Sequence, residues 1–502
     1  MSILVKGNGR TVIGPRNPPP SPLFKMTIDT AQAGVTNNQS FELAFASSSS
    51  VNLTVDWGDG TSDVITTWNQ AELLHGYASS GTYQVTLSGS FDSLNFYQND
   101  AAKLMSIDNW GTNKWQTGTG SFRTCVNMTG NYSDNPDFTE ITSMNTMFYG
   151  CTVFDGVLTI DIPLCTTLQQ TFGLCDTLNS DITITNSSNV LTTFQMFANS
   201  DLFNSSITIS DTSNVTTMDR MFERCTAFNK PINFDTSSVN NMFRMFSRCT
   251  NFNQPINFNT SNVLTMYGMM ENCPNLNSAI TFSDTSNVTT MLSMFTNNIN
   301  FNQPLNFDTS SVNNMQSMFQ NCTNFNQPVN FNTSNVNTIL AMFQGCTNFN
   351  QPVNFDTSSV TSMQQMFYLC SSFNQIINFS TSSLTNTYRM MRNCLAFNSS
   401  FTLSDTSAIT TMQEMFFNAI NFNEDISNFN ISSLTNATSM LQSSAFDQTN
   451  YDLLLPAWDA YGTSNVTFHA GTAQYTAAPS APATAHANMV GRGWTITDGG
   501  TP

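Results

Sequence analysis

With 502 residues, 40% of them hydrophobic and 12% aromatic, the chain has ample apolar material for a large core. Charged residues reach only 10%, against roughly 25% in ordinary soluble proteins, so Asn, Thr and Ser must cover the surface. The net charge of −18 argues against nucleic acid and anionic lipid as partners, because both are held through Lys and Arg. No apolar run approaches the roughly 18 residues of a membrane span, so membrane insertion is not expected.

Residues 1–37 read as an N-terminal arm. The opening MSILVKGNGRTVIGPRNPPPSP lacks the apolar stretch of a secretory leader. Its GPRNPPPSP segment suits neither helix nor central strand. The arm is either a disordered tail or an anchor that docks onto a larger assembly through Lys6, Arg10, Arg16 and Lys25.

Residues 38–91 read as an all-β module. VNLTVDWGDGTSDVITT and LLHGYASSGTYQVTLSG alternate apolar and polar residues around tight turns. The run Asp56-Trp57-Gly58-Asp59-Gly60, with His75, Tyr77, Tyr83, Val85 and Leu87 beyond it, resembles the PKD domain. That resemblance implies an immunoglobulin-like β-sandwich of extracellular proteins. Trp57 and Tyr83 are expected in its core. Asp56 and Asp59 are expected to satisfy turn N–H groups, with calcium binding as the alternative. Residues 92–145, with Trp110 and Trp115, are expected to seal the first open end of a repeat array.

Residues 146–445 are a tandem repeat. INFDTSSVNNMFRMFSRCTNFNQP, LNFDTSSVNNMQSMFQNCTNFNQP and VNFDTSSVTSMQQMFYLCSSFNQI are three copies of one unit. The second residue of the Met-Phe pair marks a period of 24 or 25, running from Phe122 through Phe246 and Phe319 to Leu441, about fourteen units with the degenerate first ones. Within a unit, Ile232-Asn-Phe234 reads as a short strand. Val239, Met242, Met245, Phe246 and Cys249 recur at three and four, which predicts one or two turns of helix behind an Asp-Thr-Ser cap. So short a unit cannot offset its own ordering entropy, so neighbours must share a core. Stacking at about 4.8 Å per coil then gives a solenoid roughly 65 Å long.

Stacking predicts three ladders. Phe228, Phe252, Phe301, Phe325, Phe349, Phe373 and Phe397 form an aromatic column. Asn229, Asn253, Asn302, Asn326, Asn350, Asn374 and Asn398 are expected as buried amides holding turn backbone. Ten of eleven cysteines sit three residues after the period marker and read as small buried side chains, because no closely spaced pair suggests a metal site. Ser200, Asn298, Ala419 and Ser444 fill the same slot elsewhere.

The unit DTSxVxxMxxMFxxCxxFNQPxxF resembles the BspA-like leucine-rich-repeat surface proteins over about residues 100–445. The resemblance implies a leucine-rich-repeat-like coil of strand plus short helix, and a role in attachment without catalytic residues. Residues 446–502 are then a C-terminal cap over the last open coil.

His75, His469 and His486 form no nucleophile arrangement, and no phosphate loop or metal motif is present, so no enzyme, metal or cofactor is expected. The candidate binding surface is the solvent side of the strands: Asn233, Asn257, Asn306, Asn330 and Asn354, continued by Asn378, beside Asp235, Asn259, Asp308, Asn332 and Asp356. A flat amide lattice suits the hydroxyls of a polysaccharide; the alternative is a solvated face that only holds its own backbone. The expected function is attachment of a tailed-bacteriophage virion, as fibre, decoration or receptor-binding protein on the particle surface, to host polysaccharide or protein. The arm would join other virion proteins, and a homo-oligomer stays open. A secreted bacterial cell-surface adhesin is the alternative.

Overall fold

The computed structural model of the protein describes residues 23–502. Strand Phe24–Asp29 lies inside a six-stranded sheet, antiparallel to Thr82–Phe91 on one side and to Leu104–Asn109 on the other. Val51–Asp56 and Ser62–Ile65 extend the sheet beyond Thr82–Phe91. Ser40–Glu42 pairs separately with Leu74–Gly76. The sheet therefore draws in residues 24–29, which sequence alone assigns to the arm; FKMTID alternates buried and half-buried side chains, as a strand with one face on a core must. Residues 1–22 of the expected arm lie outside the described residues, and residues 30–37 form the loop that follows the strand.

One charged side chain fastens this module. Lys103 is fully buried, and its ammonium donates to the carbonyls of Thr36, Asn37 and Ser40 at 3.2, 2.7 and 2.9 Å. Asp100 beside it accepts the N–H groups of Thr36 and Glu42 at 3.0 and 2.9 Å. A buried charge survives only when paired and hydrogen-bonded, and here it ties the loop after the first strand to the region expected as a cap. Trp110 and Trp115 are also fully buried, edge-on to Phe24 from the sheet and Phe138 from the first coils.

From there the chain winds as a β-solenoid. The antiparallel sheet hands over to it where Leu104–Asn109 pairs in parallel with Thr129–Gly130. One parallel bridge per coil then runs from Thr167 through Thr217, Thr265, Asn314 and Ser362 to Asn436. Val239, Met242, Met245, Phe246, Cys249 and Phe252 of one coil, and their counterparts in the others, all face one continuous interior.

The expected short helix is not what this spacing builds. Met245 N–H bonds Met242 O, Cys249 N–H bonds Phe246 O and Phe252 N–H bonds Cys249 O, at 3.0–3.3 Å, which is a chain of β-turns. The third residue of the first two, Arg244 and Arg248, has φ of +50° and +64°. The intervening N–H groups of Arg244, Phe246 and Arg248 turn outward to the next coil, donating to Tyr267, Met269 and Glu271 carbonyls at 2.7–2.9 Å. A helix would spend every N–H on its own chain; alternating left-handed residues frees every second one for the neighbour. Left-handed φ recurs two residues before and after the period marker in coil after coil, from Gly120 and Thr124 to Ser439 and Ser443.

Regular strands form in only some coils. Leu158–Asp161, Ile182–Thr185 and Ile207–Ile209 pair in parallel, as do Ile256–Phe258 with Ile280–Phe282 and Ile377–Phe379 with Phe401–Leu403. Each of the last two pairs runs into a coil with an additional Ser before its Asp-Thr-Ser. The N–H of Ser283 or Ser404 closes the ladder on Phe258 or Phe379, and Ser210 does the same on Ile184. Runs 305–307, 329–331 and 353–355, in coils without that residue, keep the alternation of burial but not the ladder.

At the C-terminal end, strands Asn436–Ala437, Thr467–His469 and Thr495–Thr497 continue the parallel order, now with true helices Gln448–Asp459 and Ala481–Gly491 between them. Asp447 caps the first helix by accepting the Asn450 N–H at 3.0 Å. Among the described residues, the strand-plus-helix coil expected throughout the repeat is found only here.

Candidate functional site

The three ladders form as columns, with two differences from expectation. Successive rings of the aromatic column stack at about 6 Å, as Phe325 does with Phe301 (6.0 Å) and Phe349 (5.9 Å). The asparagines are not buried but half-buried to exposed. Their amide oxygens accept the backbone N–H of the equivalent residue one coil on, at 2.8–3.0 Å, in an unbroken series from Asp155 through Asn253 and Asn326 to Asp447. Only the oxygen must reach the backbone, so the rest of the amide stays in solvent.

All eleven cysteines are free and buried. Nine aim their sulfur at the carbonyl of the preceding coil's period marker, at 2.9–3.1 Å. The slot therefore wants a small donor as well as a small apolar volume. Ser200 and Asn298 keep that bond, to Phe172 O and Met270 O at 2.7 and 2.8 Å, and both substitutions were the signal for it in the sequence. Burial pushes the thiols of Cys273 and Cys322 up to about 12. A neutral buried thiol is neither nucleophile nor metal ligand.

On the strand face, Asn233, Asn257, Asn306, Asn330, Asn354 and Asn378 are all exposed between apolar neighbours that are buried, or half-buried at Ile232. Among the described residues none of these six side chains carries a hydrogen bond. The second column is exposed too but committed to its own turn. Asp235, Asn259, Asp308, Asn332 and Asp356 each accept the N–H of the residue two ahead, at 2.9–3.1 Å. That bond from Ser358 holds the Asp356 carboxyl below the usual range. Beneath them, buried Thr236, Thr309, Thr333 and Thr357 donate to carbonyls of the next coil at 2.7–2.9 Å. The candidate residues thus divide into a free amide column and a structural one.

The β-turn edge of the solenoid was missed. Between residues 118 and 445 there are eight basic residues, and all but Lys230 are arginines placed one or two residues from the period marker: Arg123, Arg220, Arg224, Arg244, Arg248, Arg389 and Arg392. Arg220 lies 3.4 Å from Glu223 and 4.6 Å over the Phe243 ring. Arg244 lies 3.4 Å from Glu271 and against Tyr267. Arg389 makes a forked pair with Glu414 at 2.9 and 3.2 Å. Burial raises the Asp219 carboxyl against the opposing pull of Arg220. These positions differ from coil to coil, and that departure from the repeat is the sequence signal that marks them.

No curated protein and no solved structure gives a significant match to the chain. A family model described as "Mycoplasma protein of unknown function, DUF285" matches residues 92–159, 118–230, 166–282, 257–353, 329–406 and 353–458 in overlapping succession. The stacked coils and their bridging region are thus the matched part, and the chain belongs to this DUF285 repeat family.

Proposed function

We propose that the chain is a non-enzymatic attachment protein displayed on the surface of a tailed-bacteriophage virion, as fibre, decoration or receptor-binding protein. In this reading the solenoid is a rigid adhesive body whose strand face holds glycans of the host surface. The N-terminal β-module serves as a PKD-like, immunoglobulin-like spacer, and each coil is a pared-down relative of a leucine-rich repeat. The observation that carries the reading is the column of six exposed asparagines without hydrogen bonds, repeated at coil spacing. Such amides each offer two donors and an acceptor to sugar hydroxyls at no cost to the fold. A secreted bacterial cell-surface adhesin is the second reading, favoured by the family's description as a mycoplasma protein.

A neutral-glycan array probed with the full chain and with an Asn306→Ala, Asn330→Ala, Asn354→Ala variant tests the strand face. Binding lost in the variant supports it, and unchanged binding removes it. Immunogold labelling of purified particles and of intact cells separates the virion from the cellular reading.

A further inference from the structure

A groove of 690 Å³ runs along the turn edge over five successive coils. One row of its lining is Leu174, Asn199, Arg224, Arg248 and Asn272; the other contains Asp176 and Asp201. Two features of its charges set it apart from the rest of this edge. The first is that they are unpaired. Arg220, Arg244, Arg389 and Arg392 each have a carboxylate partner, and Arg123 lies 4.0 Å over the Tyr97 ring. Arg224 reaches only the amide oxygen of Asn199 at 3.5 Å, and Arg248 makes no side-chain bond among the described residues. Asp176 and Asp201 have no side-chain partner there either.

The second feature is segregation. Arg224 and Arg248 occupy the same position in consecutive coils, and Asp176 and Asp201 do the same in the two coils before them. Coils stack at about 4.8 Å, so each pair sets like charges side by side, which destabilises. Burial, reinforced by Asp201, raises the Asp176 carboxyl. Exchanging one Arg with one Asp would turn both clashes into ion pairs. The fold instead keeps two guanidinium groups at one end of the groove and two carboxylates at the other, on the order of 5–15 Å apart by coil spacing.

We propose that this groove binds a zwitterionic polysaccharide, its acidic groups clamped by Arg224 and Arg248 and its ammonium groups held by Asp176 and Asp201. Guanidinium forks suit carboxylate or phosphate, and paired carboxylates suit an amine. Asn199 and Asn272 supply amides for the hydroxyls between. The inference rests on the attachment reading and names the ligand class for it. It also moves the charged contact away from the strand face, whose Asp211, Asp235, Asp284, Asp308, Asp356 and Asp405 would repel an acidic group.

The test uses the immobilised full chain and three polymers: N-deacetylated heparosan (uronate with free amine), heparosan (uronate alone) and dextran (neutral). The zwitterionic polymer is expected to bind at least tenfold more tightly than either other. Arg224→Gln with Arg248→Gln, and separately Asp176→Asn with Asp201→Asn, are each expected to remove that advantage, with melting curves unchanged or raised. No preference for the zwitterion, a preference that survives either double variant, or binding of none of the three overturns the proposal. Attachment of the wild-type chain to bacterial cells is scored separately. Attachment that persists while the double variants keep the wild-type order of polymer affinities sinks the groove and spares the attachment reading. A groove that discriminates among polymers on a chain that attaches to no cell does the reverse.

Discussion

Along the strand face a few residues return in most coils: a free Asn, replaced by Thr at Thr208, Thr281 and Thr402, a turn-capping Asp or Asn, and a buried Thr that bonds the next coil. Along the turn edge of the same coils the backbone repeats just as strictly, but the side chains do not. Gln, Phe, Tyr, Arg and Glu replace one another at fixed backbone positions, many of them left-handed. Both surfaces rest on one shared interior. The difference teaches that in a solenoid a recurring residue is first a structural device. The place to look for a ligand is where recurrence stops, or where a recurring side chain is left without a bond.

Experiments can break or sharpen this contrast. The largest effect should come from the interior common to both faces. Phe325→Ala deletes a ring stacked between Phe301, Phe319 and Phe349 and should cost about 3–5 kcal/mol in chemical denaturation. A loss under about 1 kcal/mol would mean that the coils do not share a core.

On the strand face, Thr309→Val keeps the shape but orphans the Asn332 carbonyl, so it should destabilise by about 1–2 kcal/mol. On the turn edge the sign should reverse. Leu369 is held at φ +66°, where a branched side chain is strained and Asn is tolerated. Leu369→Asn should therefore stabilise by about 1 kcal/mol, seen as a raised melting temperature.

Asn306→Ala should shift stability by no more than about 0.5 kcal/mol, because that side chain holds nothing. A larger loss would return the free column to the structural class. The smallest effect concerns acid. The turn N–H groups of Ser286 and Ser358 keep Asp284 and Asp356 below their ordinary value of 3.8. A carboxyl depressed in the folded state contributes stability that is present above its unfolded pKa and lost as pH falls through the folded one. Wild type should therefore lose more stability between pH 5 and pH 2 than an Asp284→Asn, Asp356→Asn variant, whose capping amides do not titrate. Asn259 and Asn332 already play that part in other coils. Equal losses would detach the caps from acid sensitivity.

Much of the architecture was legible in the residues. The period of 24 or 25, the burial of Val239, Met242, Phe246 and Phe252, and the outward direction of Asn233 and Asp235 follow from a repeat too short to fold alone. The Asn series was legible as a ladder, although its exposure was not. The helical reading of Met242 to Cys249 failed because apolar spacing of three and four fits a chain of β-turns as well as a helix. The discriminating cue was backbone chirality: Asn or Gly two residues after the marker in Asn199, Asn272, Asn321 and Gly345 tolerates positive φ, whereas Arg248 and Leu369 conceal it.

By itself, then, the sequence determined that identical units stack, which side chains share their interior and which faces meet water, because these are consequences of composition and period. Tertiary structure decided what each N–H bonds to, which asparagine is left free, where Lys103 is buried, and that Arg224, Arg248, Asp176 and Asp201 line one groove. Those outcomes depend on contacts between residues a full coil or more apart, and one coil's pattern carries no record of the register in which the next one settles.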